Sequence, residues 1–104
     1  MSPTPLMAGL RPTHPGEVLR EDIFPSLGKS KVEIAQLLGV SRAALYNVIN
    51  EKAAITPDMA LRVGKLLGGD AEIWLTMQQA FDLRTREKEI AKDLSNIPTL
   101  EAAE

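Results

Sequence analysis

The stretch SKVEIAQLLGVSRAALYNVINEK, residues 30–52, decides the fold. Ser30 followed three residues on by Glu33 has the form of a capping box, in which a hydroxyl and a carboxylate tie up backbone N–H groups at a helix start. Ile34, Ala35, Leu37 and Leu38 are the apolar side of that helix, and Gly39 ends it. Ser41 caps the next helix, whose apolar positions Leu45, Val48 and Ile49 recur at helical spacing. Only Leu38-Gly39-Val40-Ser41 joins the two, and helices joined this tightly form a helix-turn-helix. The motif needs a small residue where the helices cross, supplied by Ala35, and a residue tolerant of positive φ at the reversal, supplied by Gly39. Val40 plugs the corner. A generic helical hairpin could share Ala35 and Gly39, but a full set of matching apolar positions with a cap on each helix is far more specific.

What the core leaves outside is the candidate reading surface. With Leu45, Val48 and Ile49 inward, the second helix of the motif turns Arg42, Ala43, Tyr46, Asn47 and Asn50 outward. Arginine can pair two donors with guanine, asparagine can pair with adenine, and alanine can touch a thymine methyl. Arg42, Ala43, Tyr46 and Asn47 are therefore expected at base edges. Lys31, Ser41, Asn50 and Lys52 lie near helix ends and turns and suit phosphates, to which helix N-termini add their own attraction. Arg62 and Lys65 read instead as a solvated face of the following helix.

Outward from the motif, Pro and Gly punctuate the chain where helices start and stop. Upstream, Thr13 or His14 caps a first helix with Pro15 at its first position and an inner face of Val18, Leu19 and Ile23, closed by Pro25 and Gly28. Residues 1–12 read as a flexible arm. Downstream, Thr56-Pro57-Asp58 starts a helix with Met59, Ala60, Val63, Leu66 and Leu67 inward, ended by Gly68-Gly69. Asp70 caps a fifth helix carrying Ile73, Trp74, Met77, Ala80 and Phe81 on one stripe and Leu75 and Leu83 on a second line. Apolar surface on two sides implies two things to pack against, the chain's own core and something else, so the expected dimer interface lies on this helix, through Trp74, Met77 and Phe81 or through the second line of Leu75 and Leu83. Beyond Arg84 charge dominates and the helix is expected to fray, with residues 95–104 a flexible tail.

The chain is all-α by this reading, one domain over residues 13–94. Its 104 residues, 44% hydrophobic and 25% charged, suit a single globular core. The absence of cysteine excludes a disulfide scaffold, thiol catalysis and a cysteine-ligated metal, and a lone His14 cannot build a multi-histidine site. With no carboxylate cluster in a cleft either, an enzyme is not expected and no cofactor is implied. No apolar run approaches the roughly 20 residues that span a bilayer, so the expected home is cytoplasmic. The net charge is -2, but residues 29–65 carry six basic against three acidic side chains. The flanks are net acidic, so the basic segment is the central one, which holds the helix-turn-helix.

Three blocks, HPGEVLREDIFPSLG, the motif itself, and ITPDMALRVGKLLGGDAEIWLTMQQAFDLR, together resemble the HigA family of antitoxins, within the Cro/cI-type or XRE helix-turn-helix group. The similarity runs from about Pro12 to Arg84. It implies a five-helix, lambda-repressor-like fold and a dimeric repressor of its own operon. It also implies a cognate HigB-like toxin, a ribosome-dependent mRNA endonuclease, as the partner that the chain neutralises. Carried over by position, the family's DNA-reading surface falls on Ser41, Arg42, Ala43, Tyr46 and Asn47, and its C-terminal packing and dimer surface on the helix from Trp74 to Leu83. Family members often have Gly and extra basic residues after the recognition helix, where this chain has Asn50-Glu51-Lys52-Ala53-Ala54. Asn50 is expected to take the left-handed conformation there. Two alternatives share parts of this pattern: a phage-type or stand-alone XRE regulator with no toxin partner, and an interaction module that neutralises a basic partner without touching DNA.

Overall fold

The computed structural model describes residues 12–101. The expected arm lies outside them except for Pro12, as do residues 102–104 of the expected tail. All regular structure among the described residues is helical.

Helix α1 is one continuous helical run of three parts, Pro15–Val18, a π-helical stretch Leu19–Ile23, and Phe24–Ser26. His14 is its cap, with Nδ1 accepting from the Gly16 N–H at 2.9 Å. The π stretch precedes Pro25, which has no N–H to continue an α-helical ladder and whose ring would crowd the carbonyl four residues back. Widening the turn, so that Phe24 N–H reaches the Leu19 carbonyl, lets the helix carry the proline without breaking. Phe24, absent from the expected inner face, is buried, while Val18 and Ile23 are only half-buried.

Helices α2 (Lys31–Leu38) and α3 (Arg42–Ile49) form the helix-turn-helix. Both halves of the Ser30–Glu33 capping box are made, at 3.0 and 3.1 Å. Ser41 Oγ accepts from Ala44 N–H. Gly39 takes φ 73°, and its N–H and that of Val40 fold back on the carbonyls of Gln36 and Ala35. Leu37 departs from expectation: it is 56% exposed. Ile34, Ala35 and Leu38 define the inward direction of α2, and at 100° per residue Leu37 points roughly 100° away from it.

Helix α4 (Pro57–Leu67) starts at the Thr56 cap, and α5 (Ala71–Glu89) follows after Gly68. Helix α1 packs on α3 and α5, α2 on α3 and α4, and α4 on α5. One core results, with Leu19, Ile34, Leu45, Ile49 and Val63 fully buried and Ala60, Ile55 and Trp74 around them. Leu19, Ile34, Leu45, Ile49 and Val63 each contribute about 1.5 to 3 kcal/mol by burial.

Helix α5 does not fray after Arg84. It runs to Glu89 and is followed by a short sixth helix, α6 (Ala91–Ser95). Arg84 pairs with Glu87 and Arg86 with Glu89 at i,i+3 spacing, so the charges that looked disruptive support the helix surface. The inward side of α5 is Trp74, Gln78 and, half-buried, Met77 and Phe81, whereas Ile73 is 59% exposed and Ala80 is exposed. Gln78 holds the place of an apolar residue because its Oε1 accepts from the buried N–H of Ile55 at 2.8 Å and its Nε2 donates to Asp82. The loop between α3 and α4 is tied to α5 in this way.

Candidate nucleic-acid interface

Helix α3 is amphipathic in the sense that matters for reading a groove. Leu45, Val48 and Ile49 are buried, while Ser41, Arg42, Ala43, Ala44, Asn47 and Asn50 are exposed and Tyr46 is half-buried. Arg42, Ala43, Tyr46 and Asn47 therefore share one side of one helix, with Arg42 in its first turn. That turn also carries the unpaired N–H groups and positive end of the helix. No carboxylate lies on α3. None of the ion pairs among the described residues involves Arg42, Lys31 or Lys52. These cations are left for an external anion, whereas Arg20, Arg84 and Arg86 are neutralised within the chain.

The four expected phosphate contacts are placed at element ends. Lys31 is the first residue of α2 and is exposed. Ser41 is the cap of α3, its oxygen already accepting a backbone bond while the hydroxyl proton stays available to an acceptor. Asn50 and Lys52 flank the turn after α3, where the N–H groups of Lys52 and Ala53 both return to the Asn47 carbonyl. Asn50 is not the left-handed residue. Its φ is -93°, and Glu51 takes φ 61° instead. The tight return to Asn47 places the reversal one residue later than the expected position, and a tertiary contact holds Glu51 there.

That contact comes from Arg20, a residue that the sequence pattern hid in an acidic neighbourhood. Its Nη1 donates to the Ile49 carbonyl at 2.6 Å and lies 3.3 Å from Glu51 Oε2, and its Nε donates to Glu21 Oε2 at 2.7 Å. The hydrogen bond to Glu21, with Glu51 beside it, raises the guanidinium pKa above its ordinary value. In return, the Glu51 carboxylate just after α3 is balanced by a cation rather than left to repel phosphates. Arg62 is a second such case. Expected as a solvated side chain, it donates from Nη1 to the Leu38 carbonyl at 2.8 Å and so closes the open end of α2 from α4. Spacing alone carries no signal for either contact, since the partners are 24 to 31 residues apart.

The candidate dimer residues do not form one surface. Trp74 is 8% exposed and belongs to the core of its own chain. Phe81 is half-buried with its ring edge-to-face against His14, centroids 5.0 Å apart. Leu75 and Met77 are partly covered, while Leu83 is 53% exposed on the opposite side of α5 from Trp74. Leu75 and Leu83 line an open groove of about 600 Å³ with Thr76 and Gln79.

A helix-turn-helix family model matches residues 20–74, more than half of the chain. The chain belongs to the helix-turn-helix family. Within that family, Virulence-associated protein I of Dichelobacter nodosus is 42% identical over 76 residues, covering 73% of this chain and 70% of its own. The solved structure of antitoxin GraA in complex with its operator is 39% identical with a TM-score of 0.82, over 90% of this chain and 96% of that one. Pseudomonas aeruginosa antitoxin HigA with the higBA promoter is 30% identical with a TM-score of 0.82, over 88% of this chain and all of that one. The all-α Cro/cI-type fold and the likeness to HigA antitoxins expected from the sequence are borne out. No helix among the described residues is long and apolar enough to cross a membrane.

Proposed function

We propose that this helix-turn-helix protein is an antitoxin that binds double-stranded operator DNA as a homodimer and represses its own operon. The observation that carries the reading is the exposed side of α3, where Arg42 and Asn47 stand with no carboxylate on the helix. Support comes from the operator and promoter complexes of GraA and HigA, whose folds this chain shares. In this reading α3 enters the major groove. Arg42, Ala43, Tyr46 and Asn47 face base edges, and Lys31, Ser41, Asn50 and Lys52 face phosphates. The functional unit is residues 13–94, the dimer forms through the Leu75–Leu83 side of α5, and the protein acts in the cytoplasm where its operator lies. The second partner is a HigB-like toxin, which the net acidic segments flanking the motif suit electrostatically. No chemistry on a substrate is proposed.

Titration of operator and scrambled duplexes at several salt concentrations tests the reading. Arg42→Ala is expected to cost about 1 to 3 kcal/mol on the operator and to relax preference at one base pair per half-site. Lys52→Ala is expected to weaken both duplexes alike and lower the slope of log affinity against log salt by about 1 per site. If Arg42→Ala and Asn47→Ala both leave operator affinity and preference intact, α3 is not the reading element.

A further inference from the structure

We infer that Arg20, outside the reading helix and on α1, is a positioning residue for sequence recognition: it fixes the last turn of α3, and with it Tyr46 and Asn47, in the pose that reads bases. The inference rests on the operator-binding role of α3 proposed above.

A helix leaves its last carbonyls without intrahelical donors. At the end of α3 the carbonyl of Tyr46 accepts from Asn50 N–H, that of Asn47 from Lys52 and Ala53, and that of Val48 from Glu51. The Ile49 carbonyl is taken by Arg20 Nη1 from 29 residues upstream, at 2.6 Å in a part-buried position. The guanidinium is itself braced on two sides, by Glu21 at Nε and by Glu51 at Nη1. It is therefore a fixed fork and not a waving side chain.

Two features make this tie matter for α3. The helix has eight residues, too few to hold its form without tertiary support. Its exit turn also runs through Glu51 at φ 61°, a conformation that disfavours a side chain and persists only where surrounding contacts hold it. Without Arg20, Ile49 has an unsatisfied carbonyl and Glu51 loses its counter-charge at the same point. The turn relaxes, and Asn47, whose carbonyl anchors that turn, moves with it. Arg42 sits at the other end of α3, under the Ser41 cap, and is insulated from the change. Base readout depends on placement to about half an ångström, so a small relaxation is read as lost discrimination.

The test uses the whole chain of 104 residues and the operator and scrambled duplexes, at a temperature where circular dichroism shows every variant folded. Arg20→Ala is expected to lower the ratio of operator to scrambled affinity about tenfold, the size of one lost base contact, with the salt slope unchanged. Combined with Asn47→Ala the loss should be less than multiplicative, and combined with Arg42→Ala it should be multiplicative. Arg20→Gln, which keeps a donor for the Ile49 carbonyl, should restore part of the ratio and stands in if Arg20→Ala does not fold. A salt slope lower by about 1, with both duplexes weakened alike, would make Arg20 a phosphate contact and overturn the inference. A variant that discriminates as the wild type does would also overturn it, leaving the operator reading intact. If the wild type itself fails to discriminate, the operator reading falls and this inference with it.

Discussion

Gly16 lies where α1 crosses α3, and a Cβ there would overlap the carbonyl of Val48, a backbone atom with no rotamer to give way. Gly16→Ala is expected to destabilise the fold by about 3 kcal/mol or more, at or beyond the upper end of ordinary overpacking. Urea denaturation followed by circular dichroism measures it, and a loss below about 1 kcal/mol, the low end of that range, would mean that the helices part freely. Glu33 offers a different kind of check. The Ser30 backbone N–H, and then its hydroxyl, hold the Glu33 carboxyl below its ordinary value of 4.5. A pKa lower in the folded chain than in the unfolded one means that the stabilisation is present above the unfolded value and is lost as pH falls through the folded one. The stability difference between wild type and Glu33→Gln should therefore be present at neutral pH and shrink as pH falls from the ordinary value of 4.5 through the lowered folded one. A difference unchanged by that acidification would show that the charge on Glu33 contributes nothing.

Between elements, contacts from a neighbouring helix close what the helices leave open. Arg62 satisfies α2 at Leu38 as Arg20 satisfies α3 at Ile49. Arg62→Ala is predicted to cost about 1 kcal/mol in stability, the usual worth of one such hydrogen bond. Amide hydrogen exchange should locate the loss, with Gly39 and Val40 exchanging faster and α5 unaffected. A spread of faster exchange across the whole chain would argue that the side chain does more than cap α2. The Ser30–Glu33 and Ser41 caps and Gly39 are legible in the sequence, because each needs only residues within a few positions. The full length of α5 is not: its last turns carry side-chain pairs that a count of apolar positions overlooks.

For the molecule as a whole, the surface that bears on assembly is the outer side of α5. Leu83 faces away from the core and is flanked by the groove that Leu75 helps to line. An exposed apolar side chain on the outer side of a packed helix suits a two-fold contact. Light scattering at micromolar concentration should return twice the chain mass for the wild type. Leu83→Asp should return the monomer mass with unchanged helix content. Trp74→Ala should instead unfold the protein, since its ring belongs to the core. If Leu83→Asp leaves a dimer intact, the copies meet through another surface.

By itself the sequence determined the helix-turn-helix, the caps of α2, α3 and α4, and the outward set Arg42, Ala43, Asn47 and Asn50, because these depend on periodicity and on groups within one helical turn of each other. It also carried the resemblance to HigA. Only the tertiary structure decided that the His14 ring packs on Phe81, and that Gln78 belongs inside. It likewise decided that Glu51, not Asn50, makes the left-handed exit from α3. Each of these is settled by a polar or ring contact between residues far apart in the chain. A buried hydrogen bond can override the preference of a single position, and no local pattern records which distant partner will supply it.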